Sequence, residues 1–308
     1  MKKNYLRKIE LIFLACMLIL SLTYPILTLE YAKAGLQIWY KNMVPALLPM
    51  MIITGCMIKL NITASFASVI YPFTKKIYHL SKNGTYAFII GFLCGFPMGA
   101  KVICELYNHD KITENEASFL LPICNNIGPI FMLTYGLQSF QPKYIYFILI
   151  IFYIIPMGYA FFLSKKTNFH TFVSHHKSTR GQTTYSMPFS IALDEAISDG
   201  AASILSLGGY IIFFSIISLI PLELLSISKS LKAVLACLIE ITNGLSYQDN
   251  LPPFLIMGLL QFGGICCTFQ TIKFTTKTNL NIKNYLLHKI NLTLITFIIF
   301  FMIFKILS

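Results

Sequence analysis

Residues 144–163 read YIYFILIIFYIIPMGYAFFL and carry no charged side chain. A run of this kind matches the roughly 20 apolar residues that a helix needs to cross a bilayer. In hydrocarbon every backbone N–H and C=O must be bonded within the protein, so a lone spanning segment is helical. Several other windows approach the same length, and 56% of the chain is hydrophobic against 12% charged. Soluble domains carry about a quarter charged residues. The chain therefore reads as an all-α, multi-pass integral membrane protein with the lipid bilayer as its surroundings. It forms one membrane domain, because no polar block is long enough for a soluble one.

The apolar pattern predicts seven spans, at about 9–29, 43–58, 116–137, 144–163, 205–220, 252–270 and 285–306. The first has the charged start and apolar core of a signal peptide, but it is long enough to span and reads as an uncleaved helix. Residues 61–80 are of mixed character, end in lysines and suit the membrane surface. The stretch FSIALDEAISDGAASI is amphipathic, with Asp194, Glu195 and Asp199 on it. Two further apolar segments contain breaks. One is TYAFIIGFLCGFPMGAKVICELY, residues 85–107, at Gly95-Phe96-Pro97. The other is SKSLKAVLACLIEITNGLSYQDN, residues 228–250, at Thr242-Asn243-Gly244. Glycine and proline weaken a helix interior.

Charge tests how these segments thread. The net charge is +12, and the basic residues cluster in loops. That pattern fits the retention of Lys and Arg on the cytoplasmic side and excludes nucleic acid as the partner. Lys2, Lys3, Arg7 and Lys8 put the N-terminus inside; Lys59, Lys75, Lys76 and Lys82 mark the next inner loop, and Lys165, Lys166, Lys177 and Arg180 the one after. The signs agree only if 85–107 enters and turns back as a re-entrant hairpin. The same count in the second half makes 228–250 a hairpin from the other side and keeps Lys273, Lys277 and Lys283 inside. The expected organisation is an N-terminal helix and outer loop (1–42), a first repeat (43–163), a basic cytoplasmic loop (164–187) and a second repeat of opposite orientation (188–308). Inverted repeats with discontinuous helices meeting near mid-membrane are the architecture of secondary transporters.

The breaks hold the candidate site. Broken helices free N–H groups that can hold an anion and C=O groups that can hold a cation, and glycines let substrate or backbone come close. In the first segment these are Gly95, Pro97 and Gly99, followed by Lys101 and, one turn on, Glu105. Lys101 either contacts substrate or snorkels and neutralises Glu105. CNNIGP, residues 124–129, adds Asn125, Asn126 and Gly128; two adjacent amides in an apolar span cap the break, read a substrate, or both. In the second half IEITNG supplies Glu240, Thr242 and Asn243, and FGGICCTFQ supplies Gly263, Gly264, Thr268 and Gln270. Glu240 and Glu105 are the candidates for a coupling proton or cation, with a structural hydrogen bond as the alternative for Glu240.

The eight cysteines form no C-x-x-C pair and read as small packing residues. His170, His175 and His176 sit in the polar loop without the geometry of a metal site. No metal or other cofactor is expected. Walker A and H-E-x-x-H motifs are absent, which argues against ATP-driven transport by this chain alone and against an intramembrane enzyme.

Five stretches in order, GFLCGFPMGAKVICELY, EASFLLPICNNIGPIF, LGGYIIFFSII, LIEITNG and FGGICCTFQ, resemble the YlbJ-like sporulation integral membrane proteins, the SpoVV group. The resemblance covers about residues 85 to 308. It implies paired nucleoside-recognition "Gate" domains, a fold similar to concentrative nucleoside transporters and a place in a bacterial cell membrane. It also implies dipicolinate, an aromatic dicarboxylate, as cargo during sporulation. Lys101, Asn125, Asn126 and freed N–H groups would then suit carboxylates. The expected function is secondary transport of a small organic anion. A nucleoside or other small-metabolite transporter and a non-transporting membrane scaffold are the alternatives, and homo-oligomerisation stays open.

Overall fold

The computed structural model describes residues 2–166 and 187–307. Among them there is no strand, and six helical segments are long and apolar enough to cross a membrane: Pro25–Lys59, Glu114–Gly136, Pro142–Lys165, Phe189–Leu224, Pro253–Thr275 and Ile282–Ile306. The histidines, Lys177 and Arg180 of the polar loop lie outside the described residues.

The chain starts with α1 (Lys2–Thr23) and α2 (Pro25–Ile38); a wider π-type turn, Trp39–Met43, joins α2 to α3 (Val44–Lys59). Two expectations are corrected here. The first helix ends at Thr23 rather than near residue 29, because Pro25 has no N–H to continue it and starts the next helix at its first turn. The second span then begins at Pro25 rather than 43. Residues 30–42, expected as outer loop, contain no proline and stay helical. Arg7, Lys8 and Glu10 shorten the apolar part of α1, which is not among the six long apolar helices.

Short helices α4 (Thr63–Phe66) and α5 (Tyr71–Tyr78) follow, with Phe66, Val69 and Phe73 exposed beside Lys75 and Lys76. Next come α6 (Lys82–Cys94) and α7 (Met98–Asn108), which pack on each other across the turn at Gly95–Pro97. At 1.5 Å per residue they are about 20 and 16 Å long, too short to cross a ~30 Å core separately. Then α8 (Glu114–Cys124) breaks at Asn125–Gly128, and α9 (Pro129–Phe131) continues through a π-type turn to Gly136. Thr113 Oγ1 caps α8 and Ser81 Oγ caps α6. Glu116 on α8 accepts from Ser81 N at 2.7 Å, tying the two helix starts together. An uninterrupted α10 (Ile145–Lys166) closes this half.

The second half opens with α11 (Phe189–Leu219). The amphipathic stretch and the span expected separately at 205–220 are one helix, because no proline intervenes before Pro221. Against α11 the α2–α3 unit packs through small residues, as membrane helices do. A Cβ on Gly55 would lie 3.3 Å from Ala196 Cβ, and Trp39 lies against Gly208 and donates Nε1–H to Ile204 O at 2.8 Å. Helices α12 (Lys229–Ile239) and α13 (Ile241–Leu245) form a second packed pair. Their break falls at Glu240, not at Thr242-Asn243-Gly244, which lie inside α13. The reason is that the Glu240 side chain caps α13 while its own backbone is extended. A broken span, α14 (Pro253–Phe262) and α15 (Gly264–Thr275), and the uninterrupted α16 (Ile282–Leu307) end the chain.

Candidate functional site

The breaks at residues 95–97, 125–128, 240 and 263 meet. At the first, Gly95 adopts φ +73°, a conformation that favours glycine. A Cβ there would lie 2.1 Å from Gly128 N, and one on Gly99 would lie 2.2 Å from Cys124 O, so the hairpin turn and the break in α8 touch backbone to backbone. Phe96 N donates to Asn126 O at 2.6 Å. The second half reaches the same place: Gly263, at φ +79°, sits against the Phe96 ring, and Gly264 packs on the carbonyls of Cys237 and Ile239.

The two adjacent amides bond within the protein. Asn125 Nδ2 donates to Thr271 Oγ1 at 2.7 Å and to Tyr285 Oη at 3.2 Å, and its Oδ1 accepts from Ala100 N at 3.4 Å. Asn126 Nδ2 donates to Ile123 O, and its Oδ1 accepts from Gln261 Nε2 and from Lys289 Nζ, each at 2.8 Å. Lys101 is buried and ion-paired with Glu105 on α7. The first-turn N–H groups of α7 are likewise used inside the protein, by Gly95 O, Asn125 Oδ1 and Pro97 O.

In the second half, Glu240 is buried and caps α13: Oε2 accepts from Asn243 N at 2.8 Å and Oε1 from Thr242 Oγ1 at 2.8 Å. Asn243 Nδ2 is buried without a partner among the described residues.

A cavity of about 690 Å³ lies over these breaks. Its floor includes Phe96, Pro97, Gly128, Glu240, Thr242 and Gln270. Its walls rise along the N-terminal half of α3 and along Phe131 and Tyr135 towards exposed Lys41. Lys41 precedes α3 and Lys59 ends it, so the cavity lies along the half of α3 away from Lys59. Of the residues expected from sequence, Pro97, Gly128, Glu240, Thr242 and Gln270 line it. Gly95, Gly99, Asn125, Asn126, Gly263 and Gly264 pack at the breaks, Asn243 lies in α13, and Lys101 and Glu105 lie farther along α7; none of them lines it.

The sequence pattern places Phe96 in the hairpin turn but gives it no role at the site, and it does not single out Gln261 or Lys289. Lys289 is 0% exposed on α16 and bonds two oxygens of the break at 125–128: Asn125 O at 2.9 Å and Asn126 Oδ1 at 2.8 Å. Its one sequence signal is a lysine followed by an unbroken apolar helix.

No protein-family model matches the chain, and no solved structure matches it. Among curated proteins it is similar to the sporulation integral membrane protein YlbJ of Bacillus subtilis (strain 168), with 28% identity over 111 residues. The match covers 36% of this chain and 27% of that protein. Together with the six apolar helices, it supports a multi-pass membrane protein resembling YlbJ.

Proposed function

We propose that the chain is a secondary transporter of a small organic anion, with the 690 Å³ cavity as its substrate chamber. The observation that carries this reading is the convergence of four chain breaks, two from each half, three of which line that cavity while the fourth, at Gly263, packs against Phe96. Irregular backbone at membrane depth is tolerated where protein or a water-filled cavity satisfies it, and midplane sites built from discontinuous helices belong to transporters. The element order supports an inverted repeat: a long helix, a packed pair of short helices, a broken helix and an unbroken one, twice over. On this reading the short pairs are re-entrant hairpins and the repeats are 43–163 and 188–308. The N-terminus is cytoplasmic and the cavity opens outward.

The chamber volume lies within the few hundred to one thousand Å³ typical of small-molecule sites. Phe96, Phe131 and Tyr135 offer ring faces, and Thr134, Thr242 and Gln270 offer hydrogen bonds. Lys41 stands at the mouth. Lys289 lies behind Phe96, its Nζ 4.5 Å from the ring centroid. Dipicolinate, implied by the resemblance described from sequence, fits as an aromatic anion. Lys101 is paired with Glu105 and serves here as a packing charge. Glu240 is the group that carries the coupling proton.

Liposomes containing the full-length protein test the reading. Saturable dipicolinate uptake that Glu240→Gln abolishes is the expected result. Uptake of nucleosides alone would transfer the chamber to the small-metabolite alternative. No flux, and no ligand-induced rise in melting temperature of folded protein, would overturn transport in favour of a scaffold, with the loop 164–187 as the part to examine next.

A further inference from the structure

The ion pairs among the described residues join Lys59 to Glu195 and Asp199, and Lys101 to Glu105; Lys289 is in none of them. Yet Lys289 is more deeply buried than either. A buried ammonium without a carboxylate is costly unless its surroundings are built for positive charge. Here they are. Helix α8 stops at Cys124, and the carbonyl end of a helix carries partial negative charge and unpaired acceptors. The ammonium sits on two oxygens of that end, Asn125 O and Asn126 Oδ1, and over the negative face of Phe96 from the facing hairpin turn. Gln261 Nε2 orients Asn126 Oδ1 from the other side, and Gln261 Oε1 remains a buried acceptor without a partner among the described residues.

One backbone carbonyl, one amide oxygen and a ring face around one point are ligands suited to a monovalent cation, and unwound carbonyls at half-helix ends are where such ions bind in membrane proteins. We infer that Lys289 is a built-in cation: its ammonium fills a monovalent-cation site formed by the break at residues 125–128, so this break closes without dissolved Na⁺ or K⁺. The lysine stem adds a second role. It ties α16 to both the hairpin turn and the broken α8, joining elements of the two halves at one charge. Occupancy of the site does not depend on transport. One consequence does rest on the transport reading: uptake is independent of Na⁺ at this site, which leaves the proton at Glu240 as the coupling ion.

The test compares thermal unfolding of detergent-purified full-length protein in choline, sodium and butylammonium chlorides at equal ionic strength. Wild type is expected to melt at the same temperature in all three. Lys289→Ala is expected to melt roughly 6–12 °C lower in choline, the shift expected when a buried charge is stripped from its partners in a chain this long. Sodium or butylammonium then restores part of that stability, saturably, because the vacated oxygens accept a free cation. The inference is overturned if Lys289→Ala is equally unstable in all three salts, or if sodium stabilises wild type saturably over choline.

If Lys289→Ala yields no folded protein in any salt, Asn126→Asp decides. Its carboxylate would face the ammonium but the side chain would lose the Nδ2 donation to Ile123 O, so it is compared with Asn126→Leu, which loses the same donation and gains no charge: a higher melting temperature for the aspartate variant is expected, and an equal or lower one overturns the inference. Rescue by cations in a protein that shows no flux in liposomes would leave the built-in cation standing and remove only the transport reading.

Discussion

In the first half, α8 ends at Cys124 with its carbonyls facing a break, and an ammonium from α16 closes it. In the second half, α13 begins at Ile241 with its N–H groups facing a break, and the carboxylate of Glu240 closes that one. The closing charge follows the polarity of the helix end: cations suit C-termini and anions suit N-termini. The two breaks also differ in access. Lys289 lies behind Phe96 and outside the cavity lining, whereas Glu240 is part of the lining. Two interruptions, one in a broken helix of the first half and one in the short helix pair of the second, thus produce one enclosed electrostatic lock and one carboxylate within reach of a solute.

The largest expected effect tests whether both breaks are equally tight. A Cβ on Gly99 would stand 2.2 Å from Cys124 O, and one on Gly244 would stand 2.3 Å from Cys237 N. Neither neighbour is a side chain that can swing away. Gly99→Val and Gly244→Val should each cost about 3 kcal/mol or more through forced backbone shifts, seen as loss of monodisperse protein on size exclusion. If Gly244→Val folds and Gly99→Val does not, the second break is the plastic one, and the asymmetry between the breaks deepens from charge to mobility.

Glu240→Gln probes the accessible break next. An amide keeps one acceptor for Thr242 or Asn243 but not both, so the helix loses about 1–2 kcal/mol, or roughly 2–8 °C in melting temperature. Uptake driven by a pH gradient should vanish although the protein stays folded. Retained proton-driven uptake would make Glu240 a cap only and equate the two breaks as structural devices.

These sites are unequally legible in the sequence. Gly95-Phe96-Pro97 and Asn125–Gly128 announce their breaks because glycine and proline act locally, whereas the break at Gly263 falls within a stretch that the pattern reads as one span. Glu240 is visible as an acid within an apolar stretch. The linear pattern nevertheless puts its break at Thr242-Asn243-Gly244, since a glycine signal outweighs the capping ability of a side chain a few residues earlier. Pro25 misleads in a related way: read as part of one long apolar run, it hides the helix that it starts. Lys289 is hidden for a different reason. It follows Lys283 and His288 near the start of α16, where basic residues ordinarily mark a membrane boundary. Only the packing of α16 on α8 and α14 brings it to the freed carbonyls. Contacts between the halves are tertiary, and a linear pattern does not contain them.

Lys101→Met sharpens the comparison from the other side. Its ion pair with Glu105 is local to α7, and Glu105 keeps 28% side-chain exposure, so water can solvate the carboxylate once the lysine is gone. A cost of about 1 kcal/mol is expected, with ligand-induced thermal shifts unchanged. A ligand shift abolished by Lys101→Met would return the binding site to the first break and contradict the assignment of the cavity.

The smallest effect belongs to a charge cluster that no broken helix requires. Lys59, at the C-terminal end of α3, reaches Glu195 Oε2 at 2.8 Å and Asp199 Oδ2 at 3.0 Å on α11, and the two acids are 45% and 58% exposed. Exposed pairs contribute about 0–1 kcal/mol and weaken with salt. Lys59→Ala should therefore lower the melting temperature by no more than about 4 °C at low ionic strength, and the difference from wild type should shrink as salt rises. The buried charges at the breaks should behave otherwise, because they are screened little: the deficit of Lys289→Ala in choline should not shrink as choline is added. If salt erases both deficits alike, Lys289 is reached by solvent and the first break is not the enclosed lock that its geometry describes. If salt erases only the Lys59 deficit, the two kinds of charge are separated by burial, and the closed end of the bundle is held by packing between α3 and α11 rather than by its ion pairs.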